Sequence, residues 1–433
     1  MGRGRAMRYD FQTFRDEKIG EKYYYLKHES GLDVYVFPKK LTVKTALLGV
    51  KLGSIYECGS ICDGEKKSYP YGIAHFLEHK LFSSEDGVDA ISSLAALGAD
   101  GNAYTSNNKT VYMFSCTENF AGALYELIDF VYHPYFTDEN VKSERGIITQ
   151  EIKMCLDSPY DAVSQNLLVA MYGDEDISHD VLGTEKTIKK ITHEVLFDCY
   201  ESFYRCSNMA LVISGDVDCD EVMSVVDEAL PKREKAIAPI LPRIHYKNSV
   251  HKSKIEKRMP VSQPIFEIGI KDILPSENAY ERLRRDAEMT ILGEMLFSRA
   301  GDFYNDIFEN GIINESYSYG YSITRDVAFH SIYAEGDDPM LVLKKLREHI
   351  DVARKEGLSQ RDFVRCKRVL LAEFIRDFES VDDIANSVMN FTFEGADIFE
   401  YRKIIEGVTY GDVCRLLETA FAPDTFAISI IKK

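Results

Sequence analysis

No stretch of this 433-residue sequence approaches the run of about 20 apolar residues that a membrane-spanning helix needs. No membrane partner is therefore expected. Positive charge is in deficit, since 52 lysines and arginines face 70 aspartates and glutamates, for a formal charge of −18. A field of that sign repels nucleic acid and anionic lipid, whereas basic or neutral substrates meet no such penalty. CxxC pairs are absent too. The nine cysteines are scattered from Cys58 to Cys414, no secretory apolar segment precedes them, and the Cys58/Cys62 pair lacks the second pair of a zinc ribbon. They read as structural thiols in a reducing, cytoplasmic compartment. The brief basic start MGRGRAM gives way at once to acidic residues, which does not suit a transit peptide and reads as a ragged start.

What is present is length enough for two cores, because a single core stops growing at roughly 250–300 residues. Strand-like alternation fills KYYYLKHESGLDVYVFPKK, with a turn at Gly31, and VKTALLGVKLGSIYE. Helical periodicity follows in GIAHFLEHKLF and GVDAISSLAAL, then strands in ADGNAYTS and KTVYMFSCT, then three helices through Gly173. A helix and a strand in THEVLFDCYESFYRCSNMALVISG close this half. From Pro231 to Pro260 the chain carries four of its twelve prolines and many lysines, the composition of a linker.

Beyond the linker the same order returns. AHFLEHKLFSS (Ala74–Ser84) aligns with MTILGEMLFSR (Met289–Arg299), sharing Leu-Phe-Ser at a spacing of 215 residues. The expectation is an α+β fold of two homologous lobes, each a mainly antiparallel sheet packed with helices. Residues 8–230 are expected to form the first lobe, 231–260 a linker and 261–433 the second, homologous lobe. Where the first lobe has His75, Glu78 and His79, the second has Thr290, Gly293 and Glu294. A chemical role confined to one lobe leaves that pattern.

At 100° per residue His75, Glu78 and His79 share one side of a helix, opposite Ile73, Leu77 and Leu81. Imidazoles four residues apart can reach one ion at the roughly 2.0–2.1 Å that zinc requires, with Glu78 beside its open position to take a proton from water. The alternative is an amphipathic helix with solvated histidines, and the full trio at this spacing disfavours it. HEVLF (His193–Phe197) begins like a zinc helix but has Phe197 at the second histidine position. A catalytic zinc wants a third protein ligand, and the candidates are Glu144 and Glu151, two helical turns or about 10.5 Å apart. Spacing makes one of them a ligand and the other its neighbour without saying which.

The inverted HxxEH helix, followed about seventy residues on by E-R-x5-E, resembles the inverzincin zinc peptidases: pitrilysin, insulysin and the mitochondrial processing peptidases. The likeness extends to GADGNAYTSNNKTVYMFS and to HDVLGTEKTIKKIT, and it covers nearly the whole chain. It implies one Zn²⁺ per chain held by His75, His79 and Glu151, with Glu78 as general base and Glu144 supporting the site. It also implies an edge strand whose Asn102, Ala103, Tyr104 and Thr105 bind an extended peptide substrate. Family members often carry an R-x6-Y pattern in the second lobe; here Tyr317, Tyr319 and Tyr321 are present, with Tyr317 the expected catalytic tyrosine, but no arginine stands at a suitable distance. Wording such as HFLEHKLFSSEDG is most similar to half-length bacterial processing-peptidase-like members. Such chains pair as a homodimer, or as a heterodimer with a paralogue lacking the motif.

The implied reaction is hydrolysis of unfolded peptides or leader segments by zinc-activated water. One alternative is a structural or assembly subunit of the same fold without strong activity. The other is a dedicated leader peptidase for a ribosomally made natural product.

Overall fold

The computed structural model describes residues 8–85, 87–231, 236–273 and 277–433. The chain divides into two compact units. The first comprises residues up to Ile152, Asp180–Pro242 and Ile375–Phe393; the second comprises Lys153–His179, Arg243–Phe374 and Glu394–Lys433. Residues 1–7 and residues 232–235 of the expected linker lie outside the described residues.

The chain opens with strands β1 (Gln12–Asp16), β2 (Glu21–Lys27), β3 (Asp33–Pro38), β4 (Lys44–Val50), β5 (Cys58–Cys62) and β6 (Glu65–Ser68). Helices α1 (Ile73–Leu81) and α2 (Ala90–Ala96) lead into the hairpin β7 (Ala99–Thr105) and β8 (Thr110–Cys116). Then come α3 (Phe120–Tyr132), α4 (Asp138–Asp157), α5 (Pro159–Tyr172), α6 (Glu185–Ile188), α7 (His193–Phe203), β9 (Met209–Gly215) and α8 (Cys219–Ala229).

In the first unit seven strands form one sheet in the order β1-β2-β3-β9-β4-β8-β7. Period-2 patterning and register put Val34, Val36, Tyr112 and Phe114 on one face of the sheet. There Tyr112 and Phe114 meet Phe130 and Phe120 of α3, whose Leu124, Leu127 and Val131 are fully buried. Among the described residues strand β7 pairs only with β8, which leaves its other side a free edge.

The second unit adds β10 (Lys254–Arg258), β11 (Ile265–Lys271), α9 (Ala279–Phe297), α10 (Asp302–Glu309), β12 (Ser318–Ile323) and β13 (Ala328–Glu335). Helices α11 (Pro339–Glu356), α12 (Gln360–Arg376), α13 (Val381–Glu394), α14 (Ile398–Gly407) and α15 (Tyr410–Thr419) follow, and β14 (Phe426–Lys432) ends the chain. Its sheet runs β10-β14-β11-β13-β12, with α5 packed on it through Ala162 and Val163 against Ile265 and Ile431.

The repeat read from the sequence is explicit in the sheets. Taken in chain order, β3, β4, β7, β8 and β9 correspond to β10, β11, β12, β13 and β14, and the two sheets arrange them identically. Both hold one parallel pair, β3–β9 and β10–β14, within otherwise antiparallel neighbours. The run read as linker contains β10, sequence KIEKR. An edge strand supported through its backbone by β14 needs few apolar side chains, so its composition resembles that of a loop.

Candidate metal centre

Helix α1 is fixed at its start before any polar side chain is considered. Gly72 has φ +93°, and a Cβ there would stand 2.5 Å from the Leu182 carbonyl oxygen, so only glycine allows the two segments to meet. The buried Glu57 carboxylate then accepts hydrogen bonds from the backbone N–H groups of Gly72, at 3.1 Å, and Ala74, at 3.0 Å. That places an anion where the helix dipole favours one. Ile73, Ala74, Phe76, Leu77 and Leu81 fill the core around the helix, which fixes the direction in which its polar residues point.

His75 and His79 stand one turn apart, with ring centroids separated by 4.6 Å. From α4, Glu151 Oε1 lies 3.7 Å from His75 Nε2, and Oε2 lies 3.6 Å from His79 Nε2. Ligands about 2.0–2.1 Å from a tetrahedral ion stand about 3.3 Å from one another. The ligand atoms of the three residues all lie within 4.8 Å of one another, so the side chains can close on a zinc ion by adjustment of their rotamers. Among the described residues this is the single cluster of its kind.

Glu144, two turns before Glu151, accepts a hydrogen bond from His79 Nδ1 at 2.9 Å. This contact holds the tautomer whose Nε2 lone pair faces Glu151, the carboxylate–histidine pairing that metal-binding imidazoles use. The two glutamates, left open by spacing alone, stand on different sides of His79: Glu144 meets Nδ1, and Glu151 faces Nε2 of both histidines. His75 is held by packing instead: its Nδ1 is buried without a hydrogen-bond partner.

The electrostatics follow from burial and these pairings. Burial, with the neighbouring His79 charge, pushes the His75 imidazole down to about 3 and keeps it neutral, the form that binds a metal. Burial also opposes charge on His79, but the hydrogen bond and charge of Glu144, aided by Glu78 and Glu151, outweigh it and raise this group. Burial works against ionised Glu144 as well, and is outweighed by His79 and Lys80, which hold its carboxyl below the usual range. Glu78 is raised by burial, against the opposing effects of the Thr105 hydroxyl and His79.

Thr105 Oγ1 donates to Glu78 Oε2 at 2.6 Å, so the end of β7 holds this carboxylate in place. Glu78 and His79 form one wall of a cleft of about 810 Å³, which Phe82, Asn102, Ala103, Tyr135 and Ile147 also line. Of the expected substrate-strand residues, Asn102 and Ala103 thus open onto the cleft. The Tyr104 hydroxyl is directed to Asn386 at 3.4 Å, and the Thr105 hydroxyl is taken by Glu78.

Tyr317 is fully buried and donates its hydroxyl to the Phe297 carbonyl at 2.6 Å, so in place of the expected catalytic position it has the environment of a core residue. Arg299 donates to the Glu315 and Tyr317 carbonyls and serves the same local structure. Glu294, which aligns with His79, receives the Tyr319 hydroxyl. Glu57 and the orienting role of Thr105 went unread, because neither position carries a signal in a single sequence.

The family described as Insulinase (Peptidase family M16) matches residues 39–185, and the Peptidase M16 inactive domain matches residues 190–370. The uncharacterized zinc protease YmfH of Bacillus subtilis is 33% identical, over 95% of this chain and 97% of that protein. A putative M16-like peptidase from Alicyclobacillus acidocaldarius superposes with a TM-score of 0.89 at 27% identity, covering 99% of both chains. Pitrilysin shares the fold, with a TM-score of 0.75 at 17% identity over 98% of this chain and 46% of that one.

Proposed function

The chain belongs to the insulinase family of peptidases, M16, and on that premise we propose that it is a zinc-dependent metalloendopeptidase acting on unfolded peptides or leader segments. The observation that carries this reading is the convergence of His75, His79 and Glu151 to within 4.8 Å of one another, with the Glu151 oxygens 3.7 and 3.6 Å from the two imidazoles, beside Glu78 on the same helix as the histidines. These three residues would hold one Zn²⁺ per chain. When bound, the ion supplies Lewis acidity, which acidifies a water and polarises the scissile carbonyl.

The remaining work falls to the chain's own groups. Glu78, its carboxyl raised by burial, takes the proton of the attacking water and passes it to the leaving amine. Thr105 keeps that carboxylate aimed. An extended substrate pairs its backbone with the free edge of β7, so that Asn102 and Ala103 meet it beside the cleft. Glu144 holds His79 in its ligand tautomer.

Replacing Glu78 by Gln tests the assignment. Metal analysis of Glu78→Gln is expected to give the wild-type zinc content, with hydrolysis of a quenched peptide reduced by about 10²–10⁴-fold. A second reading, an assembly subunit with weak or no activity, draws on the buried Tyr317 and the missing second-lobe arginine. Zinc binding without turnover that depends on Glu78 would favour it. Pairing with a second copy or a motif-lacking paralogue belongs to the same proposal, and native mass decides between them. A reducing, cytoplasmic compartment also belongs to it, consistent with nine free cysteines.

A further inference from the structure

Lys80 follows the second histidine of the motif directly, and its side chain is only 2% exposed. A buried ammonium is costly unless it is paired. Among the described residues its polar contacts are Ser83 Oγ, at 2.8 Å, and Glu144 Oε2, at 3.7 Å. Glu144 is itself largely buried, and its other oxygen, Oε1, is the one that accepts from His79 Nδ1. Lys80, Glu144 and His79 therefore form a chain of three side chains that ends at Nδ1, the nitrogen of His79 opposite the one that faces Glu151.

A carboxylate that orients a ligand imidazole must itself be held in place. Glu144 Oε2 faces the Lys80 ammonium while Oε1 faces His79, so Lys80 stands on the far side of the carboxylate from the imidazole. Resting on the metallopeptidase reading above, we propose that Lys80 is a positioning residue for the metal centre. Its ammonium holds Glu144 turned toward His79 Nδ1, which leaves Nε2 free for the ion.

The test is an equilibrium zinc affinity, read by competition with a chromophoric chelator on the full chain. Lys80→Met, Glu144→Gln and the double variant are compared with wild type. Lys80→Met is expected to bind zinc about 10–100-fold more weakly, the usual loss when a residue behind a ligand is removed. Because Lys80 acts through Glu144, the double variant is expected to lie within about two-fold of Glu144→Gln alone.

An unchanged affinity in Lys80→Met overturns the proposal, as do losses that multiply in the double variant. A melting temperature of the zinc-free protein that falls while affinity stays constant also overturns it, since that is the signature of packing alone. Should Lys80→Met fail to fold by circular dichroism, Lys80→Gln, which keeps a donor without the charge, is read by the same criteria. Wild-type protein that binds no zinc would overturn the metallopeptidase reading itself, and that measurement comes before any variant.

Discussion

In the second unit His330, fully buried, and Asp286, part-buried, respond to acid with opposite sign. His330 sits on β13 against Tyr321, Phe297 and Phe421 with neither ring nitrogen hydrogen-bonded, and burial pushes it down to about 4. Its folded value lies below the ordinary 6.5, so the stability it contributes is present above pH 6.5 and is lost as pH falls toward 4. Asp286, paired with the Tyr401 hydroxyl, is raised by burial to about 6. Its contribution is fully present below pH 3.8 and is lost as pH rises through 6. Each amounts to about 3 kcal/mol over nearly the same range, so the two largely cancel. Asp286→Asn removes the compensation. Between pH 6.5 and 4.5 it is expected to lose about 2–3 kcal/mol of unfolding free energy relative to its own value at neutral pH, while wild type changes little through this pair. Urea unfolding across that range measures it, and parallel pH dependences in the two proteins would refute the assignment.

Among the elements, α1 depends on its first turn. A Cβ at Gly72 would meet strain from φ +93° and the Leu182 backbone together, and backbone cannot swing aside as a flexible side-chain tip can. Gly72→Ala is expected to cost about 3 kcal/mol, with zinc retention falling alongside stability. Gly64 separates the two contributions: it has φ +83° but nothing within 4 Å of a Cβ, so Gly64→Ala is expected to cost only about 1 kcal/mol. Equal losses in the two variants would mean that the approach of Leu182 is unimportant. The same helix shows what a sequence can carry. The apolar stripe Ile73–Leu77–Leu81 and the HxxEH face are local, set by 3.6-residue periodicity, and both were legible. The roles of Glu144 and Glu151 were not, because the contact that distinguishes them joins residues 65 positions apart. Tyr317 misled for a related reason: it precedes β12 by one residue, and its alternation with Tyr319 and Tyr321 gives no hint that its hydroxyl turns inward to Phe297. Strand β10 was hidden because backbone pairing, which leaves no mark on composition, is what makes it a strand.

For the molecule as a whole, duplication has produced two sheets with one strand order, yet the chain does not keep the two copies in separate stretches. It passes from one unit to the other after Ile152, His179, Pro242, Phe374 and Phe393, and three helices, α4, α12 and α13, run across those points. Melting one unit would cut short helices that belong partly to the other, so the two are expected to unfold together although the proposed metal centre lies in the first alone. Zinc turns this into a measurement. At a free concentration 1,000 times its dissociation constant it adds about 4 kcal/mol to the state that binds it. The rise in melting temperature is that energy divided by the unfolding entropy, about 2.1 cal/mol/K for each residue in the cooperative unit. If all 433 residues unfold together, the entropy is about 0.9 kcal/mol/K and the single transition should rise by about 4–5 °C. If the zinc-binding unit melts alone, with about half the residues, its transition should rise by about 9 °C while a second one stays where it was. Calorimetry with saturating zinc and with a chelator distinguishes these outcomes. The crossing helices predict the smaller shift of one undivided peak, and two peaks with only one moving would show that chain continuity does not couple the lobes.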